Sequence, residues 1–246
     1  MSKNELVPVY QVESLPDLAP SMDVFRGVIQ NSTFLQRIQL YTKGKYVDLQ
    51  LIGPGHYGVP VSEDNIEDLG TEIDVIPFAW RPKAIDMADR DNVIVSYDSQ
   101  SPEYQRMKKA SDEEDNSHCM YGVCFLVFER NKAQFYELFF GTASGRREST
   151  RFLSFCPISP AAAAQISERT GKTVEARGPL PCTLKAKYIT KGSWGWHVPV
   201  SFQCTTPFTN LPPIDVVTDE IKKFYALKSG EVEKVEEAPA TKRRAR

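Results

Sequence analysis

The stretch that decides the fold is VCFLVFERNKAQFYELFF, residues 123–140. Val123 to Phe128 is apolar without interruption, which is typical of a strand that is buried on both faces. A polar turn follows at Arg130-Asn131-Lys132, and the second apolar run, Ala133 to Phe140, can return beside the first. The stretch therefore predicts a central β-hairpin.

Two further hairpins are predicted where apolar and polar residues alternate with a period of two. The first covers 35–51 and turns at Lys43-Gly44-Lys45, and the second covers 184–204 and turns at Lys191-Gly192. The remaining assignments are a strand over 73–80 with Pro77 at an edge or a bulge, a short strand over 93–95, a loop over 53–60 and a solvated acidic loop over 63–74.

Helices are predicted where a capping residue precedes apolar residues at a spacing of 3.6. The clearest case begins at Ser159-Pro160 and ends at Gly171. The last helix runs from about Asp215 to Lys228 and ends before Gly230. Three more helices are expected to begin at Ser21, Ser101 and Ser144.

Three hairpins with helices between and after them predict a β-rich α+β protein, because no βαβ alternation is visible. We expect an antiparallel β-core, either an elaborated OB-like barrel or a sandwich, with peripheral helices and a C-terminal helix. In this organisation residues 1–20 form an extended lead-in, 21–228 a single β-rich domain, and 229–246 a disordered tail of mixed charge.

Composition excludes some classes of protein. Hydrophobic residues make up 41% and charged residues 25%, so enough apolar surface exists to fold the chain. The absence of an apolar run of 18 residues argues against a transmembrane helix. The N-terminal residues show no secretory signal, and the five cysteines form an odd set, so we expect reduced thiols and a cytoplasmic location.

Catalytic motifs have weak support. GPGHYG, residues 53–58, matches G-x-G-x-x-G, but it contains a proline and no helix follows it. His118, Cys119 and Cys124 lack the two close pairs of a zinc ribbon. We therefore expect no cofactor, no metal and no catalysis, and a metal-dependent nuclease that uses the carboxylates of 63–74 is the weaker alternative.

Positive charge is concentrated in the hairpins. Segments 35–61, 125–151 and 183–210 carry net charges of +2, +2 and +3, so the remaining residues carry −9 within a total of −2. A basic β-surface is what contact with phosphates requires, because neutralised phosphates release counterions. This distribution favours a protein that binds nucleic acid.

Aromatic residues beside such a surface favour single strands, since unpaired bases stack on rings. The period of two places Tyr41 and Tyr46 on a polar face, whereas Trp194 and Trp196 share the apolar face of their strand and are assigned to packing. Trp80-Arg81-Pro82-Lys83 is interpreted as a rigid exposed corner. The candidate nucleic-acid-binding residues are Arg37, Tyr41, Lys43, Lys45, Tyr46, Trp80, Arg81, Lys83, Arg146, Arg147, Lys185 and Lys187.

The segment DVIPFAWRPKAID, residues 74–86, resembles one in small, uncharacterised proteins encoded in bacteriophage replication modules. Further segments extend the resemblance over roughly 35–205, and they are Tyr97-Asp98, CMYGVCFLV at 119–127, Phe139-Phe140 and SGRRE at 144–148. Such proteins are similar in layout to phage single-stranded-DNA-binding proteins with an elaborated OB-fold. The resemblance implies DNA binding in replication or recombination in the host cytoplasm, with replication or recombination proteins as partners and homo-oligomers allowed.

One feature departs from that pattern. Phage single-strand binders commonly end in an acidic tail, whereas this chain ends in an acidic segment followed by Lys242, Arg243, Arg244 and Arg246. The alternative is a structural or host-interaction protein of a phage that uses the β-core as a docking surface.

Overall fold

The predicted central hairpin lies in the middle of a nine-stranded sheet. We describe a computed structural model of the chain over residues 8–11, 15, 35–62, 64–89, 93–113 and 117–226. The strands are β1 (Arg37–Tyr41), β2 (His56–Ser62), β3 (Asn65–Gly70), β4 (Glu72–Asp86), β5 (Ile94–Ser96), β6 (Cys119–Glu129), β7 (Gln134–Phe140), β8 (Cys182–Lys191) and β9 (Trp194–Gln203). The helices are α1 (Lys45–Asp48), α2 (Pro102–Glu113), α3 (Ala143–Phe152), α4 (Pro160–Thr170) and α5 (Ile214–Ala226).

The strands form one continuous path in the order β3-β2-β1-β7-β6-β4-β8-β9, and β5 pairs with β4. All pairs are antiparallel except β1 and β7, which run parallel with Arg37 opposite Glu137. The prediction of a β-rich α+β protein with peripheral helices and a C-terminal helix is confirmed. The expected antiparallel core is corrected to a mixed sheet, because hydrophobic alternation does not reveal the direction of a distant neighbour.

Strand β6 is buried on both faces, as its uninterrupted apolar run predicts. Phe125 and Val127 pack on one side in a cluster that also contains Phe152 of α3. Leu126 and Phe128 pack on the other side in a cluster that includes α5. The sheet is therefore covered by helices on both faces around its centre, which explains why β6 has no polar face.

The predicted caps at Ser101 and Ser159 are confirmed. Ser101 accepts a hydrogen bond from the Tyr104 N–H (3.2 Å) at the start of α2. Ser159 caps α4, and Gly171 ends that helix with a left-handed φ of 67°. Helix α3 is capped by Thr142 rather than Ser144, because the Thr142 hydroxyl accepts from the Gly145 N–H. Pro77 lies at a register shift between β4 and β6, which agrees with the predicted bulge.

The first predicted hairpin has a different second strand. Residues 47–51 do not form a strand, because α1 ends at Asp48 and Gln50 has a left-handed φ of 57°. The partner of β1 is β2, which includes part of the predicted glycine-rich loop at 53–60. Tyr57, Gly58 and Val59 of β2 are all buried, and this glycine- and proline-containing segment lacks the alternation by which the sequence predicts strands.

The acidic stretch at 63–74 is also not a loop. It contains β3 and the beginning of β4, with Ile66 and Ile73 buried. Charged residues on the strand at the end of a sheet oppose pairing with another chain, so an acidic edge strand has a physical purpose. The predicted helix at Ser21 and the predicted tail at 229–246 lie outside the described residues. In the described part of the chain, no helix is long and apolar enough to cross a membrane.

Two adjacent valines test how α5 docks on the sheet. Val217 is fully buried, whereas Val216 is 41% exposed. We expect Val217→Ala to lower the free energy of unfolding by roughly 2 kcal/mol, because two buried methyl groups are lost. Val216→Ala should change it by less than about 0.5 kcal/mol. Urea unfolding followed by circular dichroism measures both, and equal losses would contradict this docking.

Candidate nucleic-acid interface

The two hairpins that carry the predicted surface are not paired neighbours in the sheet, although β1 and the loop before β2 contact β9. Strand β1 carries Arg37 and Tyr41, and β8 carries Lys185 and Lys187, but β7, β6 and β4 lie between these strands. The sequence shows which residues share a face of one hairpin and does not show which hairpins are neighbours. The twelve candidate residues therefore fall into separate environments.

The two candidate tyrosines pack against each other instead of facing solvent. Tyr41 is 9% exposed and lies in a cluster with Ile52 and Ile66. Its ring meets that of Tyr46 edge-on, with centroids 5.7 Å apart, and the Tyr46 hydroxyl donates to the Ser62 carbonyl (2.8 Å). Burial raises the pKa of Tyr41. Because the predicted strand at 47–51 is absent, the polar face assigned to these rings is absent too.

The predicted exposed corner at 80–83 lies inside a long strand. Arg81 is 4% exposed and Lys83 is fully buried, and only Trp80 keeps 46% of its surface. Register places Ala79 opposite Leu126, and Leu126 opposite Glu137, so Arg81 and Lys83 share the face of Glu137. The alternation of side chains along β4 places Arg81 and Lys83 on a buried face. The polar composition of the segment does not indicate this burial.

Glu137 compensates the buried cations. Its Oε1 lies 2.5 Å from Lys83 Nζ and 3.0 Å from Arg37 Nε. Burial alone would raise the pKa of Glu137, but Lys83 and Arg37 lower it from its usual 4.5 to about 2. The Arg81 guanidinium lies 3.4 Å from the centroid of the Tyr97 ring. Arg37, Arg81 and Lys83 therefore stabilise the interior and are not placed for phosphate contact.

The acidic and basic segments that are separate in the sequence are neighbours in the structure. Carboxylates between Asp64 and Asp74 accept from cations of three hairpins, and these ion pairs are Lys45–Asp64, Lys132–Glu67, Arg130–Asp74 and Lys185–Glu72. The surplus of +7 in the hairpins is thus largely compensated by folding. Among the described residues of these hairpins, Lys187 and Lys191 are cations that these four ion pairs do not include.

The remaining candidates differ in exposure. Arg146 donates to the carbonyls of Tyr121 and Gly141, lies 3.3 Å from Asp112 and covers the Tyr121 ring. These contacts fix Arg146 as a structural residue between α2, β6 and α3. Lys43, Arg147 and Lys187 are exposed.

One face of the β8–β9 hairpin does bring cations and aromatic rings together. Directly paired residues of an antiparallel hairpin share a face, and the pairs on this face are Lys185–Val200, Lys187–Val198, Ile189–Trp196 and Lys191–Trp194. We call these residues, together with Phe202, the outer strip. From Lys185 to Lys191 the strip is about 20 Å long. Residues 182–203 contain three lysines and no acidic residue.

Trp194 is the most exposed large apolar residue of the described chain, at 76%. Its predicted role in packing is therefore wrong. It lies at the end of the hairpin beside the two-residue turn Gly192–Ser193. Trp196 is half-buried, and its Nε1 donates to the Ser144 hydroxyl (3.2 Å).

Helix α3 flanks the free edge of β9 and adds charge to the strip. The Glu148 carboxylate accepts from the Ser201 N–H (2.8 Å) and from the Ser201 hydroxyl. The Arg151 guanidinium lies 5.6 Å from the centroid of the Phe202 ring. The edge of β9 is thereby protected, and a fourth cation stands at the base of the strip.

The opposite face of the hairpin packs against the loop before β2. The rings of Tyr188 and His197 lie 5.0 Å apart. A side chain at Gly55 would come within 2.6 Å of the His197 ring, and Gly55 has a φ of 84°, so only glycine fits there. Burial and the nearby His56 lower the pKa of His197, which keeps its imidazole neutral at pH 7.

Four residues of this surface escape the sequence-based candidate set, namely Arg151, Lys191, Trp194 and Phe202. The signal for Trp194 is its position next to a hairpin turn, since the tip of a hairpin has no neighbours on either face. Lys191 follows from the same argument. The sequence contains no signal for Arg151 and Phe202, because their contact joins a helix to a strand about 50 residues away.

Metal ligands do not converge in the described part of the chain, where no group of three or more His, Cys, Asp or Glu could hold an ion. All five cysteines are free, and burial raises the pKa of Cys124 within β6. Comparisons of the chain with family models, with curated proteins and with solved structures find no match. The resemblance to phage replication-module proteins stays a prediction.

The buried Lys83–Glu137 pair should contribute strongly to stability. We expect Lys83→Met to lower the free energy of unfolding by about 3–5 kcal/mol, because Glu137 loses a partner in a buried site. Lys185→Met is the matched control, since it removes an ion pair whose side chains are half exposed and should cost about 1 kcal/mol or less. Urea unfolding at pH 7 measures both, and similar losses would show that the Lys83 pair is not buried.

The Lys83–Glu137 pair also makes the free energy of unfolding depend on pH in the acid range. Because the native pKa of Glu137 is lowered, its contribution is complete above about pH 4.5 and is lost as the pH falls towards 2. We expect the wild type to lose more stability between pH 5 and 2.5 than Glu137→Gln, which has no carboxylate to protonate. Urea midpoints across this range measure the difference, and parallel curves would refute it.

Proposed function

We propose that this protein binds single-stranded nucleic acid on the outer strip of the β8–β9 hairpin, without catalysing a reaction. The observation that supports this is the pairing of lysines on β8 with aromatic and aliphatic residues on β9, on one face of a hairpin whose own residues include no acidic side chain. The ion pairs with the carboxylates between Asp64 and Asp74 do not include Lys187 or Lys191.

Binding combines two interactions. The lysines and Arg151 contact phosphates, and the released counterions make affinity fall with salt. Bases stack on Trp194 and Phe202, whose rings are 76% and 41% exposed. Stacking requires bases with free faces, so the strip favours single strands over a closed duplex.

The choice of DNA, a role in phage replication or recombination, and a cytoplasmic setting are part of this proposal. They rest on the resemblance in residues 74–148 and on five free cysteines. Free thiols persist where the environment is reducing. Trp80 and Lys43 remain candidates for contacts with a longer single strand of nucleic acid.

The proposal is tested by titrating a fluorescent single-stranded DNA of about 20 nucleotides at 50–300 mM salt. We expect micromolar or tighter binding at low salt. Lys187→Ala with Lys191→Ala should weaken binding and reduce the slope of log K against log salt by about 0.7 for each lost phosphate contact.

Lys108→Ala with Lys109→Ala is the matched control, because both are exposed lysines of α2 and the double variant loses the same two charges. Its affinity and its salt slope should equal those of the wild type. The absence of binding at 50 mM salt, or an equal loss in both variants, would refute the outer strip as the site.

A further inference from the structure

The β8–β9 hairpin extends beyond the rest of the sheet. Pairing of β8 with β4 covers only Cys182–Lys185, followed by one hydrogen bond from the Ala186 N–H to the Thr71 carbonyl. From Lys187 onward, in the part of the chain that the structure describes, β8 pairs only with β9. The extension is about 15 Å long. It ends in the pair Lys191–Trp194 and the turn Gly192–Ser193, which we call the tip.

The extension contacts the rest of the protein on both of its faces. On one face, Trp196 donates to Ser144 at the beginning of α3. On the other face, the His197 ring packs on Gly55 of the loop before β2. These contacts reach Trp196 and His197, and the pair Lys191–Trp194 lies beyond them. A supported ribbon keeps its end in place when a ligand pushes against it.

The tip itself joins a flat apolar ring to a cation. Trp194 exposes 76% of its surface, and Lys191 lies directly across from it. Apolar side chains that enter between bases unstack them, and a neighbouring cation can hold the adjacent phosphate. The outer strip continues from the tip towards the body of the protein, so a strand that leaves a duplex at Trp194 would meet Lys187 and Lys185 next.

We propose that the tip is a wedge that binds at a junction between single-stranded and double-stranded nucleic acid and opens the terminal base pair. This inference rests on the proposed function and adds the form of the substrate. The stacking of one base on one ring is similar in free energy to one base-pair step of a duplex. A single tryptophan therefore opens about one pair and does not unwind a duplex.

The test uses a DNA duplex with a single-stranded overhang of about 15 nucleotides. The last base of the recessed strand, next to the overhang, is 2-aminopurine, which fluoresces more strongly when it loses its partner and its neighbours. At saturating wild-type protein we expect the fluorescence to rise several-fold. Trp194→Ala at saturation should give no rise, and Trp194→Phe, which keeps a ring, should retain most of it.

The affinity for the isolated overhang separates this inference from the proposed function. Trp194→Ala should bind the single strand about 5- to 150-fold more weakly, as the loss of one stacked base predicts, and should still saturate. If the wild type binds the overhang without a change in fluorescence, the wedge is refuted and the single-strand site stands. If the wild type does not bind the overhang, both are refuted.

Trp194 could instead contact a second copy of the chain. Mass measurement in solution distinguishes this, because a wild-type oligomer that becomes monomeric in Trp194→Ala, with unchanged fluorescence at the junction, would assign the tip to oligomer formation. That outcome would overturn the wedge. A monomeric wild type that shows the fluorescence rise supports it.

Discussion

The fold depends on the burial of both faces of β6. This strand pairs with β4 over eleven positions and with β7 over seven, and its side chains enter two apolar clusters. A strand of this kind requires cover above and below, and α3 and α5 contribute to it on opposite faces. The position of α3 then determines where β9 can lie, since Glu148 holds the free edge of that strand.

The distribution of charge along the sequence differs strongly from its distribution on the surface of the folded protein. The hairpins carry most of the positive charge, but Arg37 and Lys83 converge on Glu137 in the interior. The acidic strand β3 and the beginning of β4 compensate other cations. The proposed interface, formed by one hairpin and the adjacent α3, is therefore narrow and ends in a single tryptophan.

The cations that stabilise the fold are therefore different residues from those of the proposed interface. The buried cations are held by a carboxylate in an apolar site, where their loss would destabilise the protein. The lysines of the outer strip lie at the surface, where individual charges contribute little to folding. Substitutions at Lys187, Lys191 and Trp194 can therefore alter the proposed interface without disturbing the core.

The sequence by itself determined the elements whose signals are local. Examples are the two-sided burial of β6, the caps at Ser101 and Ser159, the bulge at Pro77 and the β8–β9 hairpin. Only the tertiary structure decided which hairpins are neighbours, that β1 runs parallel to β7, and that Lys83 is buried while Trp194 is exposed. The physical reason is that alternation states which residues share a face, whereas the strand order and the covering helices decide whether that face meets solvent or the core.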